Sequence, residues 1–322
     1  MKKIAITDYT FGEIDIEKGI LEPQGCAVVG NRSGNDPRLI AELVKDADAV
    51  ITQFAPVNAA IIGAMEKAKV IVRYGIGVDN VDLQAAAAKN IPVCNIPDYC
   101  IDEVADHTLA LILAVTRQIV PCNNAIKAGH WKLPVPIEAL QALKYMTVGL
   151  VAFGRIGREV AARLKPFKCR ILVFDPAMSD ADVLAAGYEP ATWDDVLTQS
   201  DLLSLHCPST EKTKYMINAP TIARMKKGAI LVNASRGSLV ETPALVAALE
   251  SGHLSAAALD VTDPAPINPD NLLLKLGNVV ITPHAASATP QAVQTLRTTA
   301  AKLAAMALRG ESLPNIVNGV QL

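Results

Sequence analysis

Aromatic residues are scarce in this 322-residue chain: five Phe, six Tyr and two Trp, 4% of the total. Half of the chain is nevertheless apolar (51%), so its core must be built from Ala, Val, Leu and Ile. That suits helices packed on a buried sheet better than a sandwich. An excess of charge of either sign is missing too, with 30 Lys and Arg against 32 Asp and Glu. A formal net charge of −2 supplies no basic face and argues against a nucleic-acid or anionic-membrane partner. No apolar run reaches the roughly 18 residues needed to span a bilayer. Asp8 interrupts the first apolar segment, which reads as a strand and not as a signal peptide. Cys26, Cys94, Cys100, Cys122, Cys169 and Cys207 form no CxxC pair. That spacing argues for reduced thiols in a cytoplasmic protein, against a disulfide framework and against a metal site.

What the chain does have is alternation. Short apolar strands and helical patterns follow one another almost throughout, the signature of parallel α/β architecture. A first set reads "KKIAITD", "CAVVG", "AVITQ", "KVIVRYG" and "IPVCNIP", with helices expected over 37–45 and 58–67. A long amphipathic segment, 101–120, then leads to a second set: "TVGLVAF", "CRILVFD", "DLLSLHCP", "GAILVNAS", "SAAALDV" and "NVVITP". Six strands with helices between them fit a doubly wound dinucleotide-binding domain. One more helix follows, with Thr289 as N-cap, Pro290 at its first position and Gly310 at its end. It comes after the second domain should be complete, so it is expected to return to the first, making that domain discontinuous.

Within "AFGRIG" the pattern is A-x-G-x-x-G, with Ala152 where the dinucleotide fingerprint has its first glycine. A strand precedes it and a helix follows. Gly154 lets the backbone approach a pyrophosphate, and the helix N-terminus offers unpaired N–H groups to it. Asp175 ends the next strand, where its carboxylate suits ribose hydroxyls and would repel a 2′-phosphate, so NAD is favoured over NADP. Further on, "NASRGS" delivers Arg236 after a buried strand, a planar fork for a carboxylate. "TPHAA" delivers His284 in the same way, and histidine is the side chain best matched to proton transfer near neutrality. The remaining histidines are weaker candidates: His107 lies in the long helix, His130 in a loop, His253 after a helix stop. His206 is expected to line the nucleotide site.

With "RYGIGVDNVD", "CNIPDYCIDEVADHTLALIL", "AFGRIG", "VFDP", "LHCPST", "NASRGSLV", "ALDVTDPAPI" and "TPHAA" in hand, the chain resembles the D-isomer-specific 2-hydroxyacid dehydrogenase family over essentially its full length. The resemblance implies two Rossmann-like domains with doubly wound parallel sheets: a discontinuous, flavodoxin-like substrate domain (1–99 and 287–322) and an NAD-binding domain (100–286). It implies an NAD-dependent oxidoreductase of a small D-2-hydroxy or 2-oxo acid. Arg236 would hold the substrate carboxylate and polarise its carbonyl, and His284 would serve as acid and base. The backbone N–H groups of Ile76 and Gly77 would bind the carboxylate. Arg73 would meet a second acidic group or form a structural ion pair. Cofactor contacts would fall to Thr108, Gly154, Arg155, Ile156, Asp175, the loop from Cys207 and Pro208 to Thr213, Ala234, Ser235 and Asp260. A homodimer is implied, with the 100–145 region toward the partner; Trp131 is either a pocket residue or a hydrophobic anchor.

One family position departs from the pattern. Five residues on from Asp260 and nineteen back from His284 both lead to position 265, where the family carries the glutamate of its catalytic dyad; here it is Ala265. Asp263 is acidic and close in sequence but stands at a different position. Without a neighbouring carboxylate a histidine relaxes toward a pKa of about 6.5, and each lost unit means about tenfold less imidazolium. Impaired turnover is therefore expected. The alternative is an NAD(H)-sensing interaction protein resembling the C-terminal-binding protein co-repressors, with weak or no turnover.

Overall fold

The computed structural model describes residues 1–320; the last two residues of the expected substrate domain lie outside them. The chain divides into a terminal unit, Met1–Tyr99 with the segment from Thr289 onward, and an inserted unit, Cys100–Ala288. The return to the terminal unit thus falls two residues after the boundary at 287 read from sequence. Ala288 is still tied to the inserted unit, its N–H donating to the Ala285 carbonyl.

The terminal unit runs β1 (Lys2–Ile6), α1 (Asp15–Leu21), β2 (Cys26–Gly30), α2 (Pro37–Val44), β3 (Ala49–Thr52), α3 (Ala59–Ala64), β4 (Ile71–Arg73), α4 (Leu83–Ala88) and β5 (Val93–Cys94). Its sheet is parallel in the order β2-β1-β3-β4-β5, the flavodoxin-like arrangement. Helices cover both faces of such a sheet, so its strands are apolar on both sides; β3 is buried at every position. Helix starts are set locally: the Asp36, Asn58 and Asp82 side chains accept from backbone N–H groups at the first turns of α2, α3 and α4. The helix expected over 58–67 stops at Ala64, with Met65 already extended.

The inserted unit runs α5 (Ile101–Thr116), α6 (Ile119–Lys127), β6 (Thr147–Val151), α7 (Arg155–Leu164), β7 (Arg170–Phe174), α8 (Asp180–Ala185), β8 (Glu189–Pro190), α9 (Trp193–Gln199), β9 (Leu202–Leu205), α10 (Ala219–Arg224), β10 (Ala229–Asn233), α11 (Thr242–Glu250), β11 (Leu254–Leu259) and β12 (Val279–Ile281). Its parallel sheet has the order β12-β11-β10-β9-β6-β7-β8, and the winding direction reverses between β6 and β9. Two expectations need correction. The sheet has seven strands and not six, because β8 is a two-residue edge strand ending in Pro190, with no apolar run to announce it. The segment 101–120 is not one helix: Gln118 adopts φ 53°, and its side-chain amide donates to the Val115 carbonyl at 2.9 Å. Apolar spacing continues through Ile119 and Val120, so periodicity alone hides the break.

Side chains alternate across the inserted sheet. Val148, Leu150, Leu202, Ile230, Val232, Ala256 and Ala258 pack against α5 and α7. Val151, Leu203, Leu205, Leu231, Ala257 and Leu259 pack on the other face, against α9, α10 and α11. The final helix, α12 (Pro290–Arg309), is capped by Thr289 accepting from Ala292 N–H and ends at Gly310 with φ 73°. It joins the terminal unit through Arg297, whose guanidinium donates to Glu17 of α1 at 2.9 and 2.7 Å. Tyr74 also donates to Glu17, at 2.7 Å. Glu17 is fully buried, so removing Arg297 would strand a charge in the core.

Candidate active site

The turn after β6 shows how the nucleotide end is built. Ala152, at the fingerprint's first glycine position, adopts φ 74°, a left-handed conformation that costs a non-glycine residue about 1–2 kcal/mol. The tight turn is therefore kept despite the extra methyl. Gly157 packs helix on strand: a Cβ there would lie 2.4 Å from the Ala152 carbonyl oxygen. Gly154 is different, for a Cβ there would meet nothing within 4 Å. Gly154 is also the N-cap of α7 and provides no side-chain cap, so the first N–H groups of that helix, at Arg155 and Ile156 among others, stand ready for an anion. The Asp175 carboxylate accepts from Phe153 N–H at 2.7 Å and Ala177 N–H at 2.8 Å. It pins the glycine turn and adds negative charge where ribose hydroxyls would lie. Open space at Gly154, an uncapped helix N-terminus and this aspartate fit a dinucleotide.

All seven strands are parallel, so the loops after β6, β9, β10, β11 and β12 emerge at one sheet edge. After β9, Ser235 donates to the Cys207 carbonyl at 2.5 Å, and Thr213 donates to the Pro208 carbonyl at 2.7 Å. The 207–213 loop is thus closed by its own Thr213 hydroxyl and tied to the loop after β10 by that of Ser235. Burial pushes the Cys207 thiol up to about 11, which makes it a packing residue and not a nucleophile. His206 stands at the winding switch. Its Nε2 is buried without a hydrogen-bond partner, and burial pushes the imidazole down to about 4.

After β10, the Asn233 side chain closes the turn around Ala234 and Ser235: its carbonyl accepts from Ser235 N–H, and its amide donates to the Arg236 carbonyl. Arg236 in turn donates to the Ser235 carbonyl at 2.8 Å. After β11 comes Asp260, which is 1% exposed. Three successive backbone N–H groups face it: His284 N–H donates to its main-chain carbonyl at 2.8 Å, Ala285 N–H to Oδ1 at 2.8 Å and Ala286 N–H to Oδ2 at 2.9 Å. Such a nest needs a left-handed residue, and His284 supplies it at φ 54°. The sheet order therefore sets Arg236 and His284 on loops flanking the one that carries Asp260 and Ala265.

Ala265 offers only a methyl group. Asp263 is already engaged: its carboxylate accepts from the Tyr215 hydroxyl at 2.9 Å and its carbonyl from Thr242 at 3.0 Å. The Asp263 hydrogen bond holds the Tyr215 phenol above its usual range. Thr108 is fully buried, its hydroxyl donating to the Val104 carbonyl at 2.7 Å. His253 bonds the Ile222 carbonyl, a structural contact. Reading the sequence missed Gly237, whose adjacency to Arg236 in "SRGS" was the available signal, and Thr282, two residues before His284.

In the terminal unit, Ile76 and Gly77 follow β4, and their N–H groups have no hydrogen-bond partner among the described residues. The Asn95 amide holds the Ile76 carbonyl at 2.7 Å, and Ile96 N–H holds that of Gly75 at 3.0 Å. Arg73 is buried with its guanidinium against Gly75, where a Cβ would lie 1.5 Å from its Nη1. Gly75 has φ 146° besides, so the backbone favours glycine there and a side chain would have to displace the Arg73 guanidinium. Among the described residues there is no group of metal-ligating side chains and no single helix long and apolar enough to cross a membrane. All six cysteines are free.

Residues 109–286 match the D-isomer specific 2-hydroxyacid dehydrogenase, NAD binding domain. The chain is 38% identical over 286 residues to a glyoxylate reductase of Korarchaeum cryptofilum, covering 87% of this chain and 86% of that one. It is 38% identical over 288 residues to a D-3-phosphoglycerate dehydrogenase of Mycobacterium leprae; 88% of this chain is covered, but it spans only about half (54%) of that longer relative. A solved structure of D-lactate dehydrogenase from Aquifex aeolicus, complexed with NAD and lactic acid, is similar with a TM-score of 0.86 and 27% identity, covering 96% of each chain. These likenesses bear out the α/β fold and the NAD cofactor expected from the motifs. The chain belongs to the D-isomer specific 2-hydroxyacid dehydrogenase family.

Proposed function

We propose that the chain interconverts a small 2-oxo acid and its D-2-hydroxy acid with NAD(H). Bound NADH would supply the hydride to C2. The Arg236 guanidinium pairs with the substrate carboxylate and polarises the C2 carbonyl, while the His284 imidazolium gives its proton to the carbonyl oxygen as the alkoxide forms. Oxidation reverses both transfers. In the terminal unit, Ile76 and Gly77 offer N–H groups to a carboxylate, and Arg73 offers charge to a second acidic group. Gly154, Arg155, Ile156 and Asp175 hold the dinucleotide.

The observation that carries this reading is the placement of Arg236 and His284 after β10 and β12 of one parallel sheet, two strands apart. At about 4.8 Å per strand their loops begin about 10 Å apart, close enough for two long side chains to meet one small acid. NADH oxidation followed with glyoxylate, hydroxypyruvate and related 2-oxo acids at pH 5.5 to 8 tests it. The expected result is turnover that rises toward mildly acidic pH. Bound NADH with no turnover across that panel counts against it.

Ala265 favours one competing reading, an NAD(H)-sensing protein similar to the C-terminal-binding protein co-repressors. NADH-dependent association without turnover would support that instead. The partner we assign is a second copy of this chain. Ile119, Ile126, Trp131, Ile137 and Tyr145 are 56%, 47%, 92%, 70% and 77% exposed within one segment, an apolar surface of the kind that marks association. Trp131→Glu should shift the sedimentation coefficient from dimer to monomer; an unchanged coefficient contradicts the assignment.

A further inference from the structure

We infer that His107 and Thr282 are positioning residues for His284, acting through the carboxylate of Asp260. This rests on reading His284 as the acid–base group. The paired strand ends supply the first observation. Asn233 aligns with Leu259 and Leu259 with Ile281. The ladder then runs one residue further, with Asp260 N–H on the Asn233 carbonyl and Thr282 N–H on the Leu259 carbonyl, both at 2.9 Å. Asp260 and Thr282 are therefore neighbours on the sheet face that α5 covers, and α5 places His107 directly over them.

The hydrogen bonds have a forced direction. A carboxylate accepts only, so the Thr282 hydroxyl gives its proton to Asp260 Oδ1, at 2.6 Å. Its oxygen must then accept from His107, whose Nε2 lies 3.0 Å away and therefore carries a proton. The same Nε2 is 3.5 Å from Asp260 Oδ1. Oδ1 also receives Ala285 N–H, and Oδ2 receives Ala286 N–H. A buried carboxylate holds its place only while such donors hold it. Here the donor on one side is the Thr282 hydroxyl, itself held by His107 Nε2 of α5. On the other side the donors belong to the very backbone turn that puts His284 at φ 54°. The chain Nε2(His107)–Oγ1(Thr282)–Oδ1(Asp260) thus sets the backbone from which the His284 ring projects. Ala265 offers no carboxylate from the family's dyad position, and the turn fixes the backbone to which the ring is attached.

The test compares near-isosteric variants with conservative ones. Thr282→Val and His107→Leu should each lower kcat for 2-oxo acid reduction about tenfold or more, while KM and NADH affinity move less than about threefold. Thr282→Ser and His107→Gln, which keep a hydroxyl and a donor, should recover most of the loss. In a His284→Ala background Thr282→Val should add no further loss. Wild-type kcat in Thr282→Val, loss without rescue by Ser, or additive loss on His284→Ala overturns the inference. A second readout is independent of turnover: amide exchange at Ala285 and Ala286 should accelerate in Thr282→Val. If the wild type reduces no 2-oxo acid yet exchange accelerates, the acid–base reading fails and the tether stands; unchanged exchange removes the tether itself.

Discussion

A Cβ on Gly237 would lie 2.0 Å from the carbonyl oxygen of Thr262, so the loop carrying Arg236 rests directly on the loop that leads from Asp260 to Ala265. The obstacle is backbone and not a flexible side-chain end, and it cannot swing aside. Gly237→Ala should therefore force the two loops apart. Overpacking of this kind costs about 1–3 kcal/mol, and a displacement near 1 Å at a reacting group costs about a hundredfold in rate. We expect kcat/KM to fall by about two orders of magnitude with only a few degrees lost in Tm. Steady-state kinetics beside a thermal melt would check this, and wild-type kcat/KM would contradict it.

Gly154 makes the complementary case. Its φ is −70° and a Cβ there meets nothing within 4 Å, so Gly154→Ala should fold as well as the wild type. The added methyl instead occupies space kept for a pyrophosphate. NADH affinity should drop about tenfold or more, read by fluorescence titration, while the cofactor-free Tm stays put. Unchanged affinity would show that the dinucleotide lies elsewhere.

Ala265→Glu returns a carboxylate to the family's dyad position. A carboxylate near the imidazole favours its charged form, which reduction requires. The rate near neutrality should therefore rise about tenfold per unit of pKa gained, and the alkaline limb of the pH profile should move to higher pH. A profile identical to wild type would mean that His284 takes its proton by another route.

His206 predicts a pH dependence of stability that is separate from catalysis. Its folded pKa is pushed down to about 4 by burial, whereas an unfolded chain binds that proton below about 6.5. The neutral ring's contribution is complete above the unfolded value and is lost as pH falls from there toward the folded one. The difference amounts to about 3 kcal/mol. Urea unfolding at pH 7, 5.5 and 4 should show the loss, and His206→Phe should flatten that part of the curve. Parallel curves for the two proteins would contradict it.

Much of this architecture was legible because it rests on short-range rules. Thr289, Pro290 and Gly310 mark α12 at both ends, and strand alternation marks the two sheets. The edge loops carrying Arg236 and His284 follow from parallel strands alone. What escaped depends on contacts distant in the chain. β8 exists because Glu189 and Pro190 find β7, not because they favour a strand. The turn at Gln118 is invisible to apolar spacing. The Glu17–Arg297 pair joins α1 to α12 across almost the whole sequence. His107 looked like an ordinary helical histidine until Thr282 was set beneath it. Asp175 was read as a ribose ligand, and only the fold reveals that it also holds Phe153 N–H.

The most direct measurement is a crystal structure of the protein with NAD and a non-reacting 2-oxo acid analogue such as oxamate. The account predicts the analogue's carboxylate paired with the Arg236 guanidinium and its carbonyl oxygen within about 3 Å of the His284 imidazole. An analogue bound away from either side chain would contradict it.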